Sequence, residues 1–189
     1  MGELTILRII AGTAKGHKIK TPKGIFLRPT SDRVKESLFN ILSGMIAGAD
    51  VLDLYAGTGN LGIEALSRGA GSAVFVDREP ANCSLIRENL IHTKLMGNAR
   101  IIRSDALKAI EKLSGERLKF DIIFLDPPYN KKIIEKALKY IENNDIIKKS
   151  GVIAAERDID EEVPEKTSVL KLVRNERYGD TVLSFYRPL

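Results

Sequence analysis

Thiols and imidazoles are scarce in this chain, which has one cysteine, two histidines and no tryptophan among its 189 residues. Cys83 alone cannot form an internal disulfide, and with His17 and His92 it is too small a ligand set for a structural zinc site. Long apolar runs are also missing, since no stretch approaches the roughly 18 residues of a membrane helix, and the first residues lack a basic leader. We therefore expect a cytoplasmic protein with no membrane segment and no metal.

Charge of one sign is concentrated at the beginning of the chain. Residues 1–36 contain eight Lys or Arg against three Asp or Glu, whereas the other 153 residues carry 22 charges of each sign. A basic leading segment on a neutral body is the asymmetry expected of an arm that binds phosphate groups. A solvated basic hairpin would show the same charge, so both interpretations stay open. The candidate substrate-binding residues are Arg8, Lys15, Lys18, Lys20, Arg28 and Arg33.

The first 29 residues are predicted to form a separate arm. The stretch RIIAGTAKGHKIKTP has two β-prone parts around Gly12 and Gly16, which is typical of a small hairpin. We expect this basic N-terminal hairpin to lie outside the main sheet. We also expect the chain to be a monomer.

Residues 30–189 are predicted to form a single domain. It begins with a helix that Thr30 or Ser31 can cap, and the helical spacing of its apolar residues leaves Arg33 free. From residue 50, five apolar runs (VLDLY, SAVFVD, ARIIRSD, FDIIFLD and GVIAAE) alternate with helical segments, which predicts a doubly wound parallel α/β sheet. Two β-rich runs around Tyr178-Gly179-Asp180 predict an antiparallel hairpin at one edge, a feature more typical of methyltransferases than of dinucleotide dehydrogenases.

A glycine-rich turn follows the first of these runs. Gly57, Gly59 and Gly62 match the pattern G-x-G-x-x-G, which on its own is a weak signal for either NAD or an adenosyl cofactor. Asp53 separates the two, because a carboxylate four residues before the first glycine would repel a pyrophosphate but attract the ammonium group of S-adenosylmethionine. Asp53 could also be a strand-end acid without a ligand. Two further residues of the turn, Tyr55 and Thr58, complete this part of the candidate cofactor site.

Two more acids end the next predicted strands. Asp77, followed by Arg78, lies 24 residues after Asp53, about where an acid is expected to bind ribose hydroxyls. Asp105 could accept a hydrogen bond from the adenine amine, with the Ala106 backbone amide donating to a ring nitrogen. Each acid could instead cap the helix that follows it. Because all three acids lie at the carboxyl ends of consecutive strands, the pattern favours one cofactor site.

The tetrapeptide Asp126-Pro127-Pro128-Tyr129 follows the fourth apolar run. Two prolines remove two backbone donors, so the carbonyl groups of this loop can face an incoming amine. We expect the Asp126 carboxylate and the Pro127 carbonyl to accept the two amine hydrogens, and Tyr129 to stack on an extruded base. The alternative is a rigid strand-to-helix turn with no chemistry.

With these motifs the chain resembles the bacterial 16S ribosomal RNA guanine-N2 methyltransferase family. The segments RIIAGTAKGHKIKTP, LRPTSDRVKESLFNIL, VLDLYAGTGNLGIEALSRGA and FLDPPY are similar to its signature segments, in the same order. The resemblance implies a Rossmann-like class I methyltransferase fold with a seven-stranded sheet, and methyl transfer from S-adenosylmethionine to a guanine amine in small-subunit RNA. The family often has a glutamate where this chain has Asp77.

Other functions are alternatives to methylation of a guanine amine in RNA. A DNA adenine-N6 methyltransferase shares the glycine turn and the DPPY loop, but 189 residues leave no room for a target-recognition domain beside the sheet. The third function class is a nicotinamide oxidoreductase or a non-catalytic binding module of the same fold, and Asp53 and the DPPY loop disfavour the oxidoreductase. Methylation of a pyrimidine at C5 needs a cysteine nucleophile, and Cys83 is expected in the middle of a helix.

Overall fold

The computed structural model describes residues 7–21, 32–128 and 132–189. Within these ranges, an N-terminal helix is followed by parallel strands that alternate with helices and by a closing hairpin. The helices are α1 (Asp32–Ile41), α2 (Asn60–Ser67), α3 (Pro80–His92), α4 (Ala106–Gly115) and α5 (Ile133–Asn143), with short 3-10 helices at Ser43–Met45 and Met96–Asn98. The strands are β1 (Asp50–Leu54), β2 (Ser72–Asp77), β3 (Ala99–Arg103), β4 (Phe120–Leu125), β5 (Ile147–Asp158), β6 (Leu170–Tyr178) and β7 (Thr181–Pro188).

The strands form one seven-stranded sheet in the order β3-β2-β1-β4-β5-β7-β6. The first five strands are parallel, while β7 pairs antiparallel with both β5 and β6. The predicted doubly wound sheet and its C-terminal hairpin are thereby confirmed. The hairpin turns at Gly179, whose φ of 62° lies in the left-handed region that glycine adopts without strain.

Each face of the sheet is covered by its own apolar layer. Residues such as Phe75 and Phe124 face α1, α2 and α3, whereas Leu54, Ile123 and Leu125 face α4 and α5. Because β1 and β4 are covered on both sides, they read as continuous apolar runs instead of alternating ones. The boundaries predicted for these elements differ from the observed ones by a few residues.

The strand order reverses between β1 and β4, and this position determines where the site lies. In open α/β sheets a ligand crevice forms beyond the carboxyl ends of the strands at such a reversal. The glycine turn follows β1 and the DPPY loop follows β4, so the two motifs border the same crevice.

The N-terminal segment, defined here as residues 7–21, contains the expected reversal of the chain. Arg8 and Lys18 form an antiparallel bridge, and Gly12 and Gly16 have φ values of 82° and 83° in the turn between them. The segment is not among the strands of the seven-stranded sheet, and it packs into the apolar layer of the first face. Its buried side chains are Leu7, Ile9, Ala14 and Ile19.

The expected boundary at residue 29, the capping residues Thr30 and Ser31, and Arg28 lie outside the described residues. No helix in the described ranges combines the length and apolar character that a membrane crossing requires. Residues 7–21, 32–128 and 132–189 also contain no group of three or more His, Cys, Asp or Glu arranged to hold a metal ion.

Candidate active site

Three carboxyl groups lie on one face of the sheet at the carboxyl ends of β1, β4 and β5. Asp53 pairs in register with Phe124, and Leu125 with Ala155. Since side chains alternate along a strand, Asp126 and Glu156, one residue beyond that last pair, are neighbours on the face that carries Asp53. Asp53 and Glu156 are buried and Asp126 is half-buried. Glu156 was not identified from the sequence, although it ends the run GVIAAE much as the other acids end theirs.

This acid cluster is electrostatically unfavourable without a cation. Burial raises the pKa of Asp53 to about 7, a shift that the nearby Asp77 increases and the Gly62 amide opposes. Burial, together with the charges of Glu156 and Asp53, raises the pKa of Asp126 well above its ordinary value. A positively charged group entering the crevice would restore the carboxylate forms, so the cluster favours a cationic ligand.

The glycine turn, defined here as residues 55–60, is held in an unusual backbone conformation. Gly57 and Gly59 have φ values of 55° and 78°, and Tyr55, which is not a glycine, has a φ of 64°. A left-handed tyrosine at the end of a buried strand stores strain, and such strain concentrates at functional sites. Burial and the neighbouring Asp105 raise the pKa of the Tyr55 hydroxyl to about 12, which keeps it protonated as a donor.

Gly62 permits close packing of α2 on the sheet. A Cβ atom at this position would lie 2.3 Å from Cε1 and 2.7 Å from Cζ of Phe75, and 3.1 Å from Oδ2 of Asp53. The same close approach lets the Gly62 amide donate a 2.9 Å hydrogen bond to Asp53 Oδ2. Asp53 is thus oriented by the start of α2, with one oxygen engaged.

Asp77 connects β2 to the glycine turn. Its Oδ2 accepts hydrogen bonds from the Gly57 amide at 2.9 Å and from Asn82 Nδ2 at 3.1 Å, and its Oδ1 accepts one from the Glu79 amide at 2.9 Å. A carboxylate has about four acceptor positions, so one remains for a ligand hydroxyl. The N-cap residue of α3 is Glu79, so Asp77 does not cap that helix. The neighbouring Arg78 has a 76% exposed side chain that forms an ion pair with Glu79.

Asp105 caps α4, as one of the two interpretations predicted. Its Oδ1 accepts from the Leu107 amide at 2.9 Å and from the Lys108 amide at 3.3 Å. The Ala106 amide belongs to the first turn of α4, where backbone donors have no partner within the helix. This amide is therefore positioned for the predicted contact with a ring nitrogen, which stays a prediction, as does an adenine contact of Asp105.

The DPPY loop leaves the sheet beside the acid cluster. Pro127 is buried and Pro128 is exposed, so the first proline packs against the protein and the second faces outward. Tyr129, predicted to stack on a base, lies outside the described residues. Beyond the loop, a cavity of about 540 Å³ is lined by four acids and Lys132. Its acidic lining disfavours a phosphate group.

The predicted RNA-binding residues that the structure describes are exposed. Arg8 forms an ion pair with Asp32 at 3.0 Å, and Lys20 forms one with Glu88 at 2.9 Å. The remaining described members of the set also reach solvent: Lys15, Lys18 and Arg33. Exposure is consistent with a phosphate-binding surface and does not test it.

Lys35 was counted among the basic charges of the first 36 residues, but it is not on the surface. Its side chain is completely buried and lies 3.3 Å from Glu64, which also pairs with Arg68 at 2.7 Å. It therefore cannot contribute to an exposed basic surface. The sequence carried a signal for this, because Lys35 follows Val34 on the apolar side of α1 and Leu38 follows one turn later.

The sequence predicted Cys83 in the middle of a helix. In the structure it lies in the first turn of α3. Its Sγ is 3.5 Å from the Asp77 carbonyl oxygen. Burial and the charge of Asp77 raise the pKa of the thiol. A raised pKa disfavours the thiolate, so this cysteine is poorly suited to act as a nucleophile.

Comparison with known proteins agrees with this geometry. Over residues 7–187 the chain matches the family described as Conserved hypothetical protein 95. Ribosomal RNA small subunit methyltransferase D of Escherichia coli (strain K12) is 34% identical over 181 residues, which cover 96% of this chain and 89% of that protein. The candidate rRNA methyltransferase YlbH of Bacillus subtilis is 39% identical over 181 residues, covering 96% and 98%.

The fold is shared with solved structures as well. The structure of the candidate methyltransferase yhhF from Escherichia coli superposes with a TM-score of 0.85 at 34% identity, covering 96% of this chain and 97% of that one. The similarity therefore extends over both the sheet and the segments that border the crevice.

Proposed function

The chain belongs to the family described as Conserved hypothetical protein 95, and we propose that it methylates the exocyclic N2 amine of a guanine in 16S ribosomal RNA. The coarser activity, methylation of ribosomal RNA, is the one that its named relatives carry. The observation that supports the finer proposal is the position of Asp126, which lies beside Asp53 and Glu156 at the reversal of the sheet.

S-adenosylmethionine is the methyl donor that the site fits. Gly57 and Gly59 allow the backbone of the turn to approach a ligand closely, and Asp53 and Asp77 offer carboxylate oxygens on either side of it. We assign Asp53 to the ammonium group, Asp77 to the ribose, and Asp105 with Ala106 to the adenine. When bound, the cofactor supplies a methyl group on a positively charged sulfonium.

Asp126 and Pro127 orient the target amine. A guanine amine is a weak nucleophile, because its lone pair is delocalised into the ring. By accepting the two amine hydrogens, the Asp126 carboxylate and the Pro127 carbonyl localise that lone pair and stabilise the positive charge that develops on nitrogen. The loop thereby works by positioning, and the alkylated amine then releases its proton readily.

Asp126 becomes a better acceptor as the site fills. Its pKa is raised by burial and by two neighbouring acids, and positive charge beside it lowers the pKa of a carboxyl group. Tyr129 is assigned to stacking on the extruded base. The exposed Arg8, Lys15, Lys18, Lys20 and Arg33, together with Arg28, are assigned to RNA phosphates.

The product can be identified directly. The pure protein is incubated with tritiated S-adenosylmethionine and, separately, with duplex DNA, free 16S RNA and 30S subunits that lack this methylation. We expect label in an RNA substrate as N2-methylguanosine. Label in DNA as N6-methyladenine, with none in either RNA substrate, would favour a DNA adenine methyltransferase instead.

Asp126→Ala tests the mechanism in the same assay. We expect this variant to lose turnover while it still binds S-adenosylmethionine, because Asp126 is assigned to the amine. Asp121→Ala is a matched control. Asp121 belongs to β4, which Asp126 follows, but it lies near the amino end of the strand, where it pairs with Lys148. Wild-type turnover by Asp126→Ala would contradict the mechanism.

A further inference from the structure

Asn89 joins the N-terminal segment to the glycine turn. Its Oδ1 accepts a hydrogen bond from the Lys20 amide at 2.8 Å, and its Nδ2 donates to the Lys20 carbonyl at 3.1 Å. The same Nδ2 donates to the Thr58 carbonyl at 2.9 Å. The side chain is completely buried, so both of its donor hydrogens and its acceptor are used within the protein.

Lys35 makes a second connection between the same two parts. Its Nζ donates to Asn60 Oδ1 at 2.8 Å and to the Arg8 carbonyl at 2.5 Å. Burial lowers the pKa of Lys35, an effect that Glu64 opposes. Glu64 in turn accepts hydrogen bonds from the backbone amides of the segment, Ile10 at 2.8 Å and Ala11 at 3.0 Å.

The two connections hold the residues on either side of Gly59. Thr58 and Asn60 flank Gly59, whose φ of 78° marks the start of α2. Undocking the segment would break both hydrogen bonds between Asn89 and Lys20, and the bond from Lys35 to the Arg8 carbonyl, and losing the partners of buried polar groups is costly. Because Asn89 and Lys35 bond to the segment and to the turn at once, the docked segment helps to fix the positions from which these two side chains hold the turn.

We propose that Asn89 and Lys35 are positioning residues for the cofactor, and that through them the N-terminal segment couples RNA binding to cofactor binding. The identities of the two ligands rest on the proposed function. A ligand that stabilises the docked segment also stabilises the turn, so RNA on the segment and S-adenosylmethionine on the turn should each tighten the binding of the other.

Asn89→Ala tests the positioning role without RNA. We expect calorimetry to show S-adenosylmethionine binding weakened about three- to tenfold, as expected for the loss of one buried hydrogen bond to the turn. Thr93→Ala is the matched control, because the buried Thr93 hydroxyl, at the end of α3, donates to carbonyl groups of that helix, Asn89 at 2.8 Å and Leu90 at 3.3 Å. Equal cofactor affinities in the two variants, measured well below their melting temperatures, would overturn the positioning role.

The coupling is measured with S-adenosylhomocysteine, which has no methyl group to transfer. We expect its dissociation constant for the wild-type protein to fall at least about fivefold when unmethylated 30S subunits saturate the protein, and to fall less for Asn89→Ala. An unchanged dissociation constant, with the subunits shown to be bound, would overturn the coupling. Failure of the subunits to bind would instead count against the proposed substrate, because the experiment without RNA stands independently.

Hydrogen exchange provides a measurement that needs no variant, should Asn89→Ala fail to fold. The Lys20 amide donates to Asn89 and lies outside the assigned cofactor contacts. We expect its exchange in the wild-type protein to slow when S-adenosylmethionine is added, because cofactor and docked segment stabilise each other. Exchange of this amide at the same rate with and without cofactor would overturn the proposal.

Discussion

Asp53 is assigned to bind the cofactor, but its burial makes the folded protein less stable as the pH approaches 7. Its pKa of about 7 in the folded protein, against 3.8 ordinarily, means that between about pH 4 and pH 7 the folded chain holds a proton that the unfolded chain has released. We expect this residue to contribute most to stability below about pH 4 and to lose that contribution as the pH rises to 7. In Asp53→Asn, measured without cofactor by urea unfolding, this decline should be absent.

Asp50 on the same strand provides a control of opposite sign. A hydrogen bond from Lys148 lowers the pKa of Asp50, so its contribution is present above about pH 4 and is lost as the pH falls. Asp50→Asn should therefore approach the wild-type stability at low pH, and Asp53→Asn should gain on the wild type at neutral pH. A parallel pH dependence for Asp53→Asn and the wild type would show that Asp53 does not titrate in this range.

At the scale of the element, the contact between α2 and β2 depends on the absence of a side chain at Gly62. The Phe75 ring that a methyl group would meet is completely buried and has no free space to enter. We expect Gly62→Ala to lower the free energy of unfolding by about 1–3 kcal/mol, the usual cost of overpacking. Gly115→Ala, in α4, is the control, since nothing lies within 4 Å of its added Cβ. Equal stabilities of the two variants in urea would contradict the packing argument.

The N-terminal segment is the element for which surface charge can be tested apart from packing. Truncating it would remove core residues such as Ile9, so we choose the exposed Lys15 and Lys18. In the double alanine variant, we expect weaker RNA binding and a salt dependence of log affinity that is flatter by about 0.7–0.9 for each RNA phosphate that a lysine no longer neutralises. Lys149→Ala, exposed near the start of β5 and outside the segment, should leave the slope unchanged. An unchanged slope in the double variant would assign the two lysines to structure.

The elements themselves could be predicted from the sequence, because their signals are local. Apolar runs such as the one ending at Leu125 identify buried strands, and Gly179 marks the turn of the edge hairpin. The docking of the N-terminal segment could not be predicted in this way. Its partners, Glu64 and Asn89, are polar residues inside helices, and only the folded chain brings them to the segment.

For the molecule as a whole, the sheet order explains which site residues the sequence could identify. Acids at the ends of consecutive strands are visible as a pattern, and the reversal between β1 and β4 brings Asp53 and Asp126 together as the motifs required. Glu156 ends its apolar run in the same way, but that it lies beside Asp126 follows only from the register between β4 and β5. For Asp105 the sequence offered two roles, and the structure shows the capping role.

The long-range bonds of the N-terminal segment also affect how the protein is made. Residues 7–21 are synthesised before their partners, because their amides bond to side chains 53 to 69 positions later in the chain. At about 5–20 residues per second, the ribosome needs roughly 3–14 seconds to supply those partners. Contacts of such high order slow folding, because a long loop must close before they form. Apolar residues of the segment, such as Leu7 and Ile9, therefore stay exposed in the newly made chain until α2 and α3 have emerged.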